Sequence, residues 1–323
     1  TMLQDTFGRR FYYLRLSVTD VCNFRCTYCL PDGYQGKPED AFLSVDEIAR
    51  AVQGFAAMGT QKVRLTGGEP SLRADLPEII SRVSEVSGIQ NVALTTNGYK
   101  LPSRIQSWKK AGLTQLNVSV DSLDAREFHQ ITGHDRLREV MAGIEEARSL
   151  DITVKTNAVL MKGVNDDLSQ ALSWLKENAL TLRFIEVMET SDQQVFFRQH
   201  HLSGQTIKAQ LLQQGWQAVV RDIAAGPAQE FWHPDYAGRI GLIMPYSKDF
   251  CSSCNRLRIS SLGKLHLCLF AENGIDIRPY LAANVPLDDL VEVVTAHVTG
   301  KAASHELQQH LSGAMANLSQ IGG

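Results

Sequence analysis

Between Cys29 and Cys251 the chain has no cysteine, although it has six in all. It also lacks any apolar run long enough to span a bilayer, and its polar N-terminal segment lacks the hydrophobic core of a signal peptide. Charge of neither sign dominates: 32 Lys and Arg stand against 35 Asp and Glu, for a net charge of −3. Bulk attraction to nucleic acid or to a membrane surface is therefore not expected. No internal repeat or low-complexity tract is present, which excludes a solenoid and a disordered scaffold. What remains is ordinary globular composition, with 44% hydrophobic and 21% charged residues over 323 positions. That length suits one large α/β domain with an appendage, or two medium domains.

The cysteines fall into two groups of three, Cys22, Cys26 and Cys29, then Cys251, Cys254 and Cys268. Clustered spacing without an export signal points to a reduced, cytoplasmic setting and to metal ligation rather than disulfides. Structural zinc and ordinary iron–sulfur sites take four protein ligands. A triad repeated twice thus suggests two clusters, each with one iron left open for a small molecule.

The first two-thirds of the chain alternate strand and helix. Period-2 patterning predicts strands over Tyr12–Thr19, Lys62–Thr66, Asn91–Thr96, Gln115–Asp121, Ile152–Leu160 and Thr181–Met188. Ser44 and Glu47 form a capping-box signature ahead of a helix over Val45–Met58, and Gly59, Gly88 and Gly112 sit where helices should stop. Six βα units joined by short connections imply a parallel sheet, and six is short of a closed barrel. The expected fold is a partial (βα)6 TIM-like barrel with a C-terminal α+β extension. Past about Glu189 the alternation fades into a helix over Ser203–Gly215, short strands near Trp216–Val220, Gln229–Trp232 and Arg239–Ile243, and helix near Leu287–Val298. A boundary falls in the interval 190–225, dividing a barrel of residues 1–200 from a C-terminal region of 201–323.

Strand faces carry further information. Leu14, Leu16 and Val18 alternate with Arg15, Ser17 and Thr19; Val63 and Leu65 with Arg64 and Thr66; Leu116, Val118 and Val120 with Asn117, Ser119 and Asp121; Ile152 and Val154 with Thr153 and Lys155. Helices must cover the apolar face, so the face with Arg15, Arg64 and Lys155 should line the lumen. Parallel strands are normally apolar on both faces. A polar, cationic face predicts a wide, wet chamber for an anionic substrate.

The first triad follows the first strand, at the end of a parallel barrel where catalysis occurs. Its alternatives are a zinc knuckle or unlinked thiols, but the loop holds no fourth Cys or His. Gly67-Gly68-Glu69-Pro70 ends the second strand, where a glycine pair either makes a turn or lets backbone approach a ligand. In the second triad, Cys251 and Cys254 precede Arg256-Leu257-Arg258, whose arginines share one face and offer forked donors. A zinc ribbon completed by His266 is the alternative there.

CNFRCTYC (residues 22–29) resembles the signature of the radical S-adenosylmethionine superfamily. With RLTGGEP, LTTNG, NVSVDSLD and CSSCNRLR following in order, the whole chain is similar to the GTP-cyclising family of molybdenum cofactor biosynthesis. The resemblance implies two [4Fe–4S] clusters, one on each cysteine triad, with S-adenosylmethionine on the open iron of the first. It implies cofactor contacts from Tyr28, Gly68, Ser119 and Met188. It implies GTP contacts from Arg15, Arg64, Thr95, Lys155, Arg256, Leu257 and Arg258, with Arg256 and Arg258 serving catalysis and the second cluster holding the guanine. The implied reaction generates a 5′-deoxyadenosyl radical, removes hydrogen from ribose C3′ and joins C3′ to C8, giving 3′,8-cyclo-7,8-dihydro-GTP. The implied partners are an electron donor such as flavodoxin or ferredoxin and the downstream cyclic pyranopterin monophosphate synthase; a homodimer is left open. The terminal Gly322-Gly323 either frays or reaches the active site. Two other functions compete: a related radical enzyme acting on a peptide, which would not need so cationic a chamber, and a non-enzymatic metal-binding module, which would not need motifs at successive strand ends.

Overall fold

The computed structural model describes residues 12–23, 41–190, 193–220, 227–246, 256–267 and 274–299. Strands β1 (Tyr13–Ser17), β2 (Lys62–Thr66), β3 (Asn91–Thr96), β4 (Gln115–Ser119), β5 (Thr153–Leu160) and β6 (Thr181–Glu186) form where alternation predicts them. Three of them stop two residues sooner than the apolar pattern does, because the chain must turn there to enter the site. Helices α1 (Val45–Ala57), α2 (Leu76–Ser84), α3 (Leu101–Ala111), α4 (Ala125–Thr132), α5 (Leu137–Ser149) and α6 (Ser169–Leu175) fill the connections. The α1 capping box is complete: Ser44 Oγ accepts from Glu47 N at 3.1 Å, and Glu47 Oε1 accepts from Ser44 N at 3.0 Å. Gly59, Gly88 and Gly112 all adopt positive φ at the helix stops the sequence marks.

The remaining elements are α7 (Gln194–His200), α8 (Gly204–Gln213), β7 (Gln217–Ala218), β8 (Gln229–Trp232), β9 (Arg239–Ile243), β10 (Arg256–Ile259), β11 (Lys264–His266), β12 (Ile275–Asp276) and α9 (Leu287–Thr299). Helix α7 has no counterpart in the sequence reading. The twelve strands of the described residues belong to one sheet, ordered β12-β11-β10-β1-β2-β3-β4-β5-β6-β9-β8-β7. The barrel is thus partial and open, but its parallel run is longer than six. β10 joins β1 and β9 joins β6, both in parallel, so the C-terminal region widens the barrel at each edge. Antiparallel neighbours β11 and β8 then end the parallel run.

The outer face of this sheet is apolar and packs under the helices. Leu14, Leu16, Val63, Leu65, Leu116, Val118, Leu257 and Ile259 join α1, α2, α3 and α9 in one core; Leu182, Phe184, Ile240 and Leu242 join α8 in a second. Each such side chain contributes about 1.5–3 kcal/mol on burial. This packing fixes the parity of every strand, and so fixes which residues face the lumen. Among the described residues no helix is long and apolar enough to cross a membrane.

Candidate functional site

Two groups of residues meet inside the barrel. One is the junction at the carboxyl ends of β1, β2 and β3, which roots the first cysteine loop. Gly68 N donates to Thr19 O at 3.0 Å and Glu69 N to Val21 O at 2.7 Å, so the Gly67–Pro70 segment runs directly against the loop that reaches Cys22. Glycine is required here by crowding. A Cβ on Gly67 would lie 2.6 Å from Thr19 O, and one on Gly68 only 2.2 Å from Val21 O. The missing side chains therefore make room for protein backbone, a reason the sequence alone does not reveal.

Glu69 locks this junction. Its fully buried carboxylate accepts from Ser71 N at 3.0 Å, Thr96 Oγ1 at 2.7 Å and Asn97 N at 2.7 Å, tying the end of β2 to the end of β3. Burial pushes its pKa up despite those donors. Asn97 Nδ2 then donates to Asn23 Oδ1 at 2.9 Å, while the His134 ring Nε2 lies 2.7 Å from Asn23 O. Arg73 Nη1 donates to Val18 O at 3.0 Å, and Ser261 Oγ to Asp20 Oδ1 at 2.6 Å. Residues 18–23 are thus fastened from β2, β3, the loop before α5 and the turn after β10. Cys22 sits half-buried at the edge of the main core. None of Glu69, Asn97 and His134 was assigned a role from sequence; hydrogen-bonding partners distant in sequence leave no local signal.

The second group is the lumen lining. β1 pairs Arg15 with Arg64 on one side and with Arg258 on the other, so three arginines stand in register across β10, β1 and β2. Neighbouring strands lie about 4.8 Å apart. Residues 15 and 258, remote in sequence, are adjacent here. Arg64 Nε donates to Tyr13 OH, and its Nη1 donates to Thr95 Oγ1 at 3.2 Å. With its amide oxygen turned toward the arginines, Asn117 accepts from Arg64 Nη1 at 3.1 Å and from Arg183 Nη2 at 2.5 Å. Arg183 Nε donates to Asn157 Oδ1 at 2.8 Å. The Arg64 and Arg183 guanidinium groups thus meet neutral acceptors on Tyr13, Thr95, Asn117 and Asn157, which orient them.

Lys62, which precedes Arg64 by two residues on the same face, lies 4.7 Å from the centre of the Tyr13 ring. Burial lowers its pKa to about 8; Tyr13 opposes the shift, while Arg64, Lys155 and Arg183 add to it. Lys155 Nζ meets Glu230 Oε2 at 2.8 Å. His266, paired with Arg258 across β10 and β11, is lowered to about 4 by burial first and then by Arg258 and Lys264. The sequence reading overlooked Lys62 and Arg183, although each shares the parity of a residue that it named or of a strand that it placed.

Arg15, Arg64, Thr95, Lys155 and Arg258 are therefore brought together on the lumen face. Leu257 is not: its side chain is 1% exposed in the outer core, and the one-residue alternation that turns Arg258 inward turns Leu257 away. At Arg64 and Asn117 the lining is dry. Arg64 is 1% exposed and Asn117 is fully buried, because the polar side chains knit to one another across the curved sheet. Ser119 ends β4 facing inward, and Met188 is buried two residues beyond β6. The backbone of Arg256 opens β10 opposite Tyr13. Cys26, Tyr28, Cys29, Cys251, Cys254, Cys268 and Gly322-Gly323 lie outside the described residues.

Residues 16–175 match the Radical SAM superfamily, and residues 180–307 match Molybdenum Cofactor Synthesis C. A GTP 3′,8-cyclase of Aeromonas hydrophila is 57% identical over 99% of this chain and 96% of its own length. One from Cronobacter sakazakii is 55% identical over 100% of this chain and 99% of that relative. Among solved structures, S-adenosylmethionine-bound SuiB of Streptococcus suis superposes with a TM-score of 0.61 at 12% identity, covering 94% of this chain and 72% of that one. Methylornithine synthase (PylB) superposes with a TM-score of 0.51 at 17% identity, covering 64% of this chain and 63% of that one. The structural matches establish a shared fold.

Proposed function

The chain belongs to the GTP 3′,8-cyclase family of the radical S-adenosylmethionine superfamily, and on that premise we propose that it converts GTP to 3′,8-cyclo-7,8-dihydro-GTP, the opening step of molybdenum cofactor biosynthesis. The observation that carries this reading is the register of Arg258, Arg15 and Arg64 across three strands, with Lys62, Lys155 and Arg183 beyond them. On the eight parallel strands no lumen-facing position holds a carboxylate. A row of cations so placed concentrates positive charge on one face of the lumen, and a triphosphate is an anion suited to it.

The cysteine chemistry fits a cluster-bound S-adenosylmethionine at the first triad: three thiolates leave one iron open, and Cys22 hangs from the fastened segment at the strand ends. When bound, this pair supplies a 5′-deoxyadenosyl radical, which takes hydrogen from ribose C3′. The protein's own part is placement. The arginine row holds the triphosphate, and the junction around Glu69 fastens residues 18–23, which carry the first cysteine of the triad. We place Gly68, Ser119, Met188 and Tyr28 around S-adenosylmethionine, and Thr95 and Arg256 with the other cations around GTP. Cyclisation leaves the product an isomer of GTP, since the hydrogen lost at C3′ is balanced by one electron and one proton.

The proposal extends to a second [4Fe–4S] cluster on Cys251, Cys254 and Cys268, to a flavodoxin or ferredoxin donor and to delivery of product to cyclic pyranopterin monophosphate synthase. It keeps the functional division near residue 200. An anaerobic assay of the cluster-reconstituted protein with S-adenosylmethionine and dithionite tests the central reading. Release of 5′-deoxyadenosine should depend on GTP, and GTP-independent release would overturn it.

Lys62 gives a pH prediction. Below about pH 8 it is already an ammonium in the free protein, and attraction to the triphosphate is complete. Above that pH it is neutral until a bound anion raises its pKa again, so binding must take up a proton. GTP affinity should fall as pH rises through about 8 toward the bound value. Calorimetry just above that pH, in two buffers of different ionisation heat, should register the uptake. Identical heats would remove Lys62 from the phosphate site.

A further inference from the structure

Among the described residues of the segment 193–234, which carries no recognised motif, Glu230 reaches the lumen. Glu230 lies opposite Gly241 in the antiparallel pairing of β8 with β9, and so faces the same side as Arg183 and Arg239. Gly241 leaves the space it needs. A Cβ there would lie 3.0 Å from Arg183 Cγ, so the Arg183 stem covers β9 where another residue would project. Glu230 crosses this gap to meet Lys155 on β5 at 2.8 Å, and its other oxygen lies 3.6 Å from Arg239 Nη1. Its side chain is 18% exposed. Burial raises the Glu230 pKa, but Lys155, Arg183 and Arg239 outweigh that and hold it below the usual carboxylate range. The group is therefore ionised at neutral pH.

We infer that Glu230 is a built-in counter-ion that competes with the substrate's phosphates for Lys155, weakening the chamber's hold on any polyphosphate. This rests on the reading that Lys155 contacts the triphosphate. The Lys155 ammonium is only 25% exposed, and Glu230 gives it an anion before substrate arrives. A phosphate chain that reaches Lys155 must either displace the carboxylate or lie beside its charge. Substrate and product carry the same triphosphate, so a stronger grip would bind both equally, slowing release without favouring the reaction. One carboxylate among the cations lets the product leave.

The decisive variant is Glu230→Gln, which keeps the shape and an acceptor for Lys155 but removes the charge. Binding of GTP, GDP and GMP to the reconstituted holoenzyme, without S-adenosylmethionine, should be measured by calorimetry and by stopped-flow dissociation. GTP affinity should rise on the order of tenfold, mostly through slower dissociation, well below the bare Coulomb limit for adjacent charges because neighbouring cations and solvent screen the carboxylate. The gain should shrink from GTP to GDP to GMP. Glu230→Asp, which keeps the charge, should retain the wild-type order and dissociation rate. Unchanged or weaker GTP binding in Glu230→Gln, with a wild-type melting curve, overturns the inference and leaves Glu230 as a mere positioner of Lys155. Lys155→Met separates the two readings. If it weakens GTP binding but Glu230→Gln does not tighten it, only the counter-ion role fails. If it leaves GTP binding unchanged, the Lys155 contact fails and the counter-ion role falls with it.

Discussion

Gly68→Ala is expected to yield a protein that cannot hold its first cluster, although the change adds one methyl group. That methyl would sit 2.2 Å from Val21 O and 2.6 Å from Asp20 O, both backbone atoms that no rotamer change can move. The loop must shift outward, breaking the Gly68–Thr19 and Glu69–Val21 hydrogen bonds. Two buried backbone bonds and the overpacking together cost about 3 kcal/mol or more. Because Cys22 follows Val21 directly, the ligand moves with the loop. Iron content after anaerobic reconstitution should fall sharply and the melting temperature should drop. Gly54→Ala is the control: its Cβ meets the Leu290 side chain at 2.7 Å, which can swing aside, so iron should stay at the wild-type level. Full iron loading in Gly68→Ala would refute the crowding account.

Arg64→Met should separate binding from stability. Arg64 is 1% exposed, beside Arg15 in register and close to Lys62 and Arg183. Without an anion, its charge is a burden on the folded state that its neutral partners Tyr13, Thr95 and Asn117 only partly relieve. Removing it forfeits hydrogen bonds of about 1 kcal/mol each but also removes repulsion, so the melting temperature should change little. GTP binding should suffer far more. Losing one partner of a buried charge contact costs roughly 2–5 kcal/mol, or about 30-fold to several thousandfold in affinity. A large drop in melting temperature with intact GTP affinity would make Arg64 a structural residue.

The sequence made the lumen legible because strand alternation is local. Arg15, Arg64 and Lys155 declare their face through the leucines and valines beside them, and the structure places all three inward. The same rule contained Lys62 and Arg183, one residue from Val63 and Leu182, yet no motif drew attention to them. Strand partners are another matter. That β10 lies against β1, bringing Arg258 beside Arg15, is decided by packing between segments more than two hundred residues apart. Glu230 was hidden for that reason, since a lone acid in a short strand acquires meaning only when Lys155 stands 2.8 Å away. Gly67 and Gly68 stood out in the sequence as a turn or a close approach to a ligand, but the protein backbone they accommodate could be seen only in three dimensions. Leu257, for which the sequence allowed only a backbone or packing role, has its side chain in the core.

The central claim is that the arginine row presents the ribose of GTP to a radical formed at the strand ends. GTP carrying deuterium at C3′ tests this most directly, in the anaerobic reaction with S-adenosylmethionine and dithionite. Mass spectrometry should find one deuterium in the released 5′-deoxyadenosine and a product isomeric with GTP less that label. Unlabelled 5′-deoxyadenosine formed alongside that product would contradict the account.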